Sequence, residues 1–271
     1  MEFDGTDDHV EIADDDIFSF TDGANDLPFS VQAWIMIGNI AADEGSIVGK
    51  FNGNTASEWL FWQDNGKLRV NLYTIKSTKY IRNTTNNVVL SNNTWHHVAA
   101  TYDGSKDKDG LKLYVDGVLA ASFPEASAGG NVYTGMANQD TAVRIGGDVS
   151  NALRFEKKIA NVALFNKELT ATEITELYNK GRVLDLSTFS DYDSVLAWWK
   201  LGDGDTLPTA IDSKGGRNGT VTSATLVDEP GAARPGIFVT DGFSTENQRY
   251  LNLRIEEGGN SGVPQVTVWL K

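Results

Sequence analysis

The feature of this sequence that most constrains its fold is a recurrence of short apolar runs with a period of two residues. In WLFWQDNGKLRVNLY, an Asp-Asn-Gly turn separates two such runs, and Leu68 and Val70 alternate with Arg69 and Asn71. Successive side chains of a strand point to opposite faces, so each run buries one face and leaves the other polar. Such runs, separated by clusters of Gly, Asn and Asp, are typical of an antiparallel β protein.

One segment has a helical period instead. Thr170 and Glu173 have the spacing of a capping box, and Ile174 and Leu177 follow on a single apolar stripe. We expect one short surface helix, at about residues 170–180, that packs on a sheet.

Charge and cysteine content exclude several classes of function. The chain has 271 residues, no cysteine and a formal net charge of -14. Thiol catalysis, Cys-ligated metals and disulfides are excluded, and the acidic charge disfavours nucleic acid and anionic membranes as partners. The run of three aspartates at residues 14–16 is predicted to be solvated.

The first residues, MEFDGTDDHVEI, contain neither a basic region nor an apolar stretch, so no signal peptide is predicted. No apolar run approaches the roughly 20 residues that a membrane-spanning helix needs. A location outside a cell would therefore require lysis, a dedicated export route or assembly into a particle.

Six segments, in this order, carry a family resemblance: EFDGTDDHVEI, FSVQAWIMI, TWHHVAATYDGS, LKLYVDGVLAAS, VRIGG and IANVALFNKELTATEITELYNKG. Over residues 2–181 the sequence resembles the laminin G-like jelly rolls of the concanavalin A-like lectin and glucanase superfamily. The resemblance implies an all-β fold, an antiparallel two-sheet β-sandwich.

Two departures from the family pattern concern the domain boundaries and one strand. The segment WWKLGDGDTLPTAIDSKGGRNGTV normally precedes the FDG strand but here follows the helix. Circular permutation and a truncated second repeat are both open; we favour permutation, because an unpaired half-repeat would expose apolar strand surface. The second departure is Lys157, where the family usually has a glycine that would allow a bulge.

The expected organisation is one sandwich over residues 1–230, in which the permuted segment 195–227 completes a sheet. Residues 231–271 follow a break marked by Pro230 and Pro235 and form a C-terminal strand extension. We expect that extension to dock on another protein or to build a homo-oligomer by edge pairing.

Carboxylate spacing argues against catalysis. Glycosidases on this fold, which the resemblance brings into play, carry two carboxylates at alternating positions of one strand, and neither Glu-x-Asp-x-x-Glu nor Glu-x-Asp-x-Glu occurs here. His96 and His97 are adjacent and would point to opposite faces of a strand. A Ser-His-Asp triad stays open, although no Gly-x-Ser-x-Gly elbow supports one. The chain is therefore predicted not to be an enzyme.

Oxygen-rich loops suit calcium, and the family often carries a calcium site. The candidate ligands are Asp4, Asp7 and Asp8 in the first loop, with Asp212 and Asn218 in DSKGGRNG. The alternative is that these residues only form turns. Calcium, if bound, would be structural.

Glycan binding requires exposed aromatic rings and polar groups. Arg69, Asn71 and Tyr73 share the polar face of one strand and are the predicted ligand-binding residues. Most of the seven tryptophans are expected in the core. The aromatic residues considered as sugar platforms are Trp59, Trp62, Tyr73, Tyr80, Trp198 and Trp199.

These observations predict a non-catalytic, surface-displayed binding or structural module that engages glycans or a protein partner. We expect a virion component, such as a bacteriophage decoration protein or tail adhesin, with capsid or tail proteins as its partners and the virion or an extracellular surface as its location. One alternative is a polysaccharide hydrolase or lyase on the same fold, and another is a purely structural protein without a ligand.

Overall fold

The computed structural model describes residues 1–41, 44–53, 56–74, 78–127, 132–202 and 204–227, together with the backbone of three strands between residues 238 and 269. The chain forms two compact units, Met1–Ala232 and Ala233–Lys271. The elements of the first unit are β1 (Glu2–Asp4), β2 (His9–Ile12), β3 (Phe29–Ile37), β4 (Glu44–Asn52), β5 (Ala56–Asp64), β6 (Lys67–Tyr73), β7 (Tyr80–Thr85), β8 (Trp95–Tyr102), β9 (Leu111–Val115), β10 (Val118–Leu119), β11 (Ser122–Ala126), β12 (Val143–Ile145), β13 (Glu156–Phe165), α1 (Ala171–Tyr178), β14 (Val195–Trp199), β15 (Thr209–Ala210) and β16 (Gly219–Thr222).

Two antiparallel sheets make up the first unit. A seven-stranded sheet has the order β1-β13-β3-β8-β9-β10, and β14 also pairs with β13; a nine-stranded sheet has the order β11-β7-β6-β5-β4-β12-β2-β16-β15. The predicted all-β, two-sheet antiparallel sandwich is confirmed.

Apolar side chains from alternate strand positions fill the space between the sheets. Leu68, Val70 and Leu72 of β6 meet Leu111 and Leu113 of β9 in this core. Burying each such side chain stabilises the fold by roughly 1.5–3 kcal/mol relative to exposure. The period-two pattern of the sequence therefore reports directly which face of each strand is inside.

The late segment joins both sheets beside the first strands. Trp199 of β14 lies opposite Val162 of β13, the strand that also pairs with β1. Val221 of β16 lies opposite Val10 of β2. The segment is paired on both sides of the core, so it is not an exposed half-repeat.

A β-bulge turns one charged residue of β5 inward. Lys50 lies opposite Trp59, whereas Phe51 lies opposite Ser57, so Glu58 is an extra residue on β5. In such a bulge both residues of the longer strand face the same side as their single partner. Glu58 therefore points into the interior together with Trp59 and Lys50, and Lys50 and Glu58 are both 0% exposed.

Lys157 occupies a backbone conformation that glycine adopts more readily. Its φ is 104°, in the left-handed half of conformational space. A side chain there costs on the order of 1–3 kcal/mol, which is a physical reason for the glycine that the resemblance led us to expect at this position. The strand keeps the conformation despite the lysine.

The outer face of the seven-stranded sheet is covered. Thr170 caps the start of helix α1, where Thr170 and Glu173 form both bonds of a capping box, and Asn179 caps its end with a φ of 46°. The predicted helix is confirmed. Its buried residues Ile174 and Leu177 pack in one cluster with residues of the sheet and of the segment after the helix: Ala99, Tyr114, Ala163, Phe165, Leu186, Phe189, Val195 and Trp198.

The second unit consists of three antiparallel strands in the order β17-β18-β19, which span Phe238–Phe243, Arg249–Arg254 and Gln265–Trp269. Among the described residues, no helix is long and apolar enough to cross a membrane.

Candidate functional site

The outer face of the nine-stranded sheet carries the best candidate site. Residues that lie opposite each other on antiparallel strands project from the same face. Trp62 lies opposite Arg69, and Arg82 lies opposite both Asn71 and Glu125. We use the name Trp62 face for the surface formed by Trp62, Asp64, Arg69, Tyr80, Arg82 and Glu125.

A buried layer supports the Trp62 face. Phe51, Leu60 and Tyr73 form an apolar cluster on this side of the sheet, against which Trp62 and Tyr80 pack. The rings of Phe51 and Tyr73 are 5.2 Å apart. Burial raises the pKa of the Tyr73 hydroxyl, so it stays protonated.

Hydrogen bonding fixes Trp62 in place. Its indole Nε1 donates to Oδ1 of Asn71 at 3.1 Å. Trp62 is half-buried and keeps part of its ring at the surface. Asn71 thus orients an aromatic residue of the Trp62 face from below.

Each of two guanidinium groups lies over an aromatic ring and is held by a carboxylate. Arg69 lies 5.0 Å from the centre of the Trp62 ring and is 2.7 Å from Oδ2 of Asp64. Within the described part of the chain, Nε of Arg69 is buried and has no hydrogen-bond partner. The ring contact and the ion pair hold the guanidinium in place.

The guanidinium of Arg82, on the neighbouring strand β7, is held in the same way. Arg82 lies 5.0 Å from the centre of the Tyr80 ring, and its Nε is 2.7 Å from Oε2 of Glu125. Planar guanidinium groups fixed in this way present N–H donors in a defined direction. The two units form an ordered surface of aromatic rings, donors and carboxylate acceptors.

The predicted ligand-binding trio shares one face, and its members lie at different depths. Arg69 is at the surface, whereas Asn71 and Tyr73 are only 5% and 4% exposed. Asn71 accepts the hydrogen bond of the Trp62 indole, and Tyr73 packs with Phe51 and Leu60 in the cluster beneath the Trp62 face. Sequence reasoning missed Arg82 and Glu125, although the alternation in YIRNTT places Tyr80 and Arg82 on one face.

Of the six aromatic platforms considered from sequence, Tyr73 is buried beneath the Trp62 face and the other five divide into three groups. Trp59 and Trp199 are core residues between the sheets. Trp198 is buried beneath the cover of the seven-stranded sheet. Trp62 and Tyr80 are half-buried on the Trp62 face, so part of each of these two residues remains at the surface.

Three of the predicted calcium ligands come together. One carboxylate oxygen from each of Asp4, Asp7 and Asp8 lies within 4.8 Å of the others. Asp8 is buried and accepts a hydrogen bond from the Asp4 amide at 2.8 Å, whereas Asp4 and Asp7 are exposed. Burial, and then the charges of Asp4 and Asp7, raise the pKa of Asp8. Carboxylate oxygens at this spacing fit a hard cation.

The other two predicted ligands lie elsewhere. Gly219 is opposite Ile12 and Thr222 is opposite His9, so Asn218 is at the end of β2 remote from Asp8. Asp212 accepts hydrogen bonds from four backbone amides, and its own amide donates to Oδ1 of Asn218. The structure thus separates Asp212 and Asn218 from the acidic cluster, and they order their own loop.

In the acidic run at 14–16, Asp14 and Asp16 are exposed, as predicted, but each of the three carboxylates also has a partner in the fold. Asp14 is 2.8 Å from the buried Lys50 ammonium. Asp15 caps a short 3₁₀ turn and pairs with Arg217, and Asp16 accepts from Asn138. Each carboxylate has a specific partner that the sequence pattern does not reveal, because the partners lie far away in the chain.

His96 lies between a serine and an aspartate, an arrangement left open from sequence. Its Nδ1 is 2.8 Å from Oδ2 of Asp116, and its Nε2 is 2.9 Å from Oγ of Ser91. The Ser91 amide also donates to Nε2 at 3.2 Å, and the His97 amide donates to Asp116. The contacts tie the loop before β8 to the turn after β9.

Comparison with solved structures gives neighbours of the same fold. A candidate carbohydrate-binding protein of Bacteroides ovatus aligns with a TM-score of 0.54 and 18% identity over 85% of this chain. The chain spans 62% of the length of that protein. At this identity the likeness shows the fold alone.

Two further neighbours align less well. The heptameric SAP-like pentraxin of Limulus polyphemus has a TM-score of 0.45 and 13% identity, over 65% of this chain and 80% of that one. The CBM40 of the Ruminococcus gnavus IT-sialidase, bound to α2,3-sialyllactose, has a TM-score of 0.44 and 12% identity, over 66% and 97%. A comparison with curated proteins found no match.

A family model matches residues 4–175, which include the segments that carry the resemblance in the sequence, apart from the first two residues of the first segment and the last residues of the helical one. That match covers more than half of the chain, and the two-sheet sandwich agrees with it. The chain belongs to the concanavalin A-like lectin/glucanase superfamily and has its lectin-like fold.

Proposed function

We propose that this chain is a non-catalytic carbohydrate-binding module and that its ligand binds on the Trp62 face. The observation that carries the proposal is the pair of half-buried rings, Trp62 and Tyr80, each bordered by a guanidinium that a carboxylate holds in place. The fold supports the class of ligand, since the similar Bacteroides ovatus structure is described as a candidate carbohydrate-binding protein.

The chemistry of sugars suits such a surface. A pyranose ring presents C–H groups that pack on aromatic faces, and its hydroxyls exchange hydrogen bonds with fixed donors and acceptors. Arg69 and Arg82 supply the donors, and Asp64 and Glu125 supply the acceptors. Because these groups are already held by ion pairs and ring contacts, little side-chain freedom is lost on binding.

Binding without cleavage is the expected behaviour of this face. Asp64 and Glu125 each pair with a guanidinium at 2.7 Å. An oxygen of each carboxylate is thus engaged by an arginine, whereas a general acid or base must be placed to exchange a proton with the substrate. These two carboxylates are therefore suited to accepting hydrogen bonds.

A glycan array tests the proposal. We expect the wild-type chain to bind a defined set of glycans and Arg82→Ala to bind the same set with a weaker signal. A reducing-end assay on the bound glycans should detect no sugar release. An array without bound glycans would contradict the proposal, and sugar release that depends on one carboxylate would support a hydrolase or lyase instead.

We also propose that calcium binds at Asp4, Asp7 and Asp8 and stabilises the first loop. Close carboxylates repel each other, and a divalent cation would relieve that repulsion. Calcium at 1 mM should raise the thermal midpoint and a chelator should reverse the shift. An unchanged midpoint would contradict a stabilising ion.

For the setting in which the chain acts, we propose display on the surface of a virion, with capsid or tail proteins as partners of the C-terminal unit. The separate three-stranded unit at Ala233–Lys271 supports this, because it provides strands that can pair with another chain. Mass spectrometry of purified particles from the source should find the chain in a fixed ratio to the major capsid protein. Its absence from the particles would contradict display.

A further inference from the structure

A second cluster of charged groups lies at one end of the sandwich interior, away from the Trp62 face. The Lys50 ammonium nitrogen is 2.6 Å from Oε1 of Glu58 and 2.8 Å from Oδ1 of Asp14. It is also 2.6 Å from Oγ of Ser19 and 2.8 Å from the carbonyl oxygen of Gln139. An amine and two carboxyl groups thus meet within hydrogen-bond distance.

The surroundings of the cluster are aromatic and largely closed. The β-bulge of β5 turns Glu58 inward beside Trp59, whose indole donates to the carbonyl oxygen of Phe18 at 2.8 Å. Phe18 and Trp59 are fully buried, as are Lys50 and Glu58. Of the reacting groups only the Asp14 carboxyl reaches solvent, with 31% of its side chain exposed.

Charged groups in this buried cluster are costly, and its surroundings favour uptake of a proton by Glu58. Removing charged groups from water costs several kcal/mol each unless they are well paired. Oε1 of Glu58 accepts from Lys50, Ser19 and the Gln139 amide. Oε2 of Glu58, also buried, has no partner among the described residues. Burial raises the pKa of Glu58, the direction that favours a carboxyl group able to take up a proton.

We propose that Lys50 and Asp14 condense to an intramolecular amide and that Glu58 transfers the protons of this reaction. The proposal goes beyond carbohydrate binding and does not depend on it. The bond would link the segment after β2 to β4, so that two parts of the nine-stranded sheet are joined covalently.

The reaction balances without a co-reactant or a change in oxidation state. Glu58 takes one proton from the ammonium, and the freed lone pair of Nζ attacks Cγ of Asp14. The C–N bond forms, and the bond between Cγ and one carboxyl oxygen breaks. Two of the three ammonium protons pass through Glu58 to that oxygen, which departs as water through the exposed side of Asp14. The third proton stays on the amide nitrogen, and Glu58 returns to its first state.

Intact mass under denaturing conditions gives the first test. The full chain, purified in its folded form and kept at neutral pH, should weigh about 18 Da less than its sequence, the mass of one water. A mass equal to the sequence would overturn the proposal.

Trypsin then locates the bond. Lys50 is the first lysine or arginine of the chain and Lys67 is the next. An amidated Lys50 is not cleaved, so the digest should contain residues 1–67 as one peptide that lacks a water. Separate peptides 1–50 and 51–67 would overturn the proposal, even with a lowered total mass, because an aspartyl succinimide also loses water but leaves Lys50 cleavable.

Three variants assign the roles. Glu58→Gln keeps the side-chain volume and removes the proton acceptor, and Asp14→Ala removes the carboxyl that reacts; both should have the full mass of their sequences. Asp16→Asn alters a neighbouring carboxylate and should lose water like the wild type. Near-ultraviolet circular dichroism checks that each variant is folded. Loss of water from folded Glu58→Gln would overturn the role of Glu58.

Discussion

The outer faces of the two sheets differ in exposure to solvent, although both carry aromatic residues. On the seven-stranded sheet, α1 and the segment after it bury Trp198, Phe165 and their neighbours. On the nine-stranded sheet, Trp62 and Tyr80 remain partly exposed and lie against arginines. An aromatic strand face is therefore available to a ligand only where the chain leaves it uncovered. On the seven-stranded sheet the covering helix is itself encoded in sequence, by the capping box and apolar stripe of α1.

The largest expected effect on stability comes from weakening the packing of α1 against the outer face of the seven-stranded sheet. Ile174→Ala leaves a cavity under α1 and should lower the free energy of unfolding by about 2–5 kcal/mol. Leu153→Ala is the matched change on the other sheet, where Leu153 is half-buried against the cluster beneath the Trp62 face, and it should cost clearly less. Urea unfolding measures both. Equal losses would mean that the two faces do not differ as described.

Low pH should lower the free energy of unfolding through a histidine beneath α1. His97 lies beneath Tyr178 of α1, and burial lowers its pKa to about 4. Unfolded chains bind the proton near pH 6.5, so the stability due to neutral His97 is present above that pH and is lost as the pH falls toward 4. The full difference corresponds to roughly 3 kcal/mol.

Unfolding curves between pH 7 and 4 measure this effect, with two variants as controls. His97→Gln should reduce the slope, and the part that remains is expected from the buried N-terminal amine, whose pKa burial lowers to about 5. His9→Asn, which changes a histidine away from α1, should keep the full slope, and an unchanged slope in His97→Gln would show that other groups cause it.

A smaller effect concerns the start of the cover. Thr170 Oγ1 accepts from the Glu173 amide at 3.3 Å, and Oε2 of Glu173 accepts from the Thr170 amide at 2.8 Å. Thr170→Ala removes one half of this capping box and should cost about 1 kcal/mol. Thr170→Ser should restore most of it. If Thr170→Ala is neutral in chemical denaturation, the cap does not hold the cover in place.

The smallest effect on stability is expected on the Trp62 face. Arg82 and Glu125 are partly exposed, and pairs of this kind contribute at most about 1 kcal/mol. Arg82→Ala should therefore leave the thermal midpoint nearly unchanged while it weakens glycan binding several-fold. A large loss of stability without a change in affinity would make Arg82 a structural residue instead.

Local sequence patterns were sufficient for the fold. Alternation placed Leu68, Val70 and Leu72 inside, and the Thr170–Glu173 spacing gave the helix and its start. These signals are local, because strand alternation and helix capping depend on residues a few positions apart. These local signals can therefore be identified without knowing which segments pair in the folded chain.

The site was only partly predictable because it depends on partners that are distant in sequence. Arg69 was found from its own strand, but its depth relative to Asn71 and Tyr73 follows from how neighbouring side chains fold over the sheet. Glu58 was missed because a bulge reverses the alternation at that point. The residue types around Glu58 do not indicate that β5 carries the additional residue of a β-bulge there.

The measurement that most directly tests the central claim is a calorimetric titration with a glycan identified on the array, using two matched tryptophan variants. Trp62 and Trp95 are both half-buried, on the outer faces of the nine-stranded and seven-stranded sheets. The account predicts that Trp62→Ala lowers the affinity by about tenfold or more, equivalent to about 1.4 kcal/mol, while Trp95→Ala stays near the wild-type value. Full affinity in Trp62→Ala, or an equal loss in Trp95→Ala, would contradict a binding site on the Trp62 face.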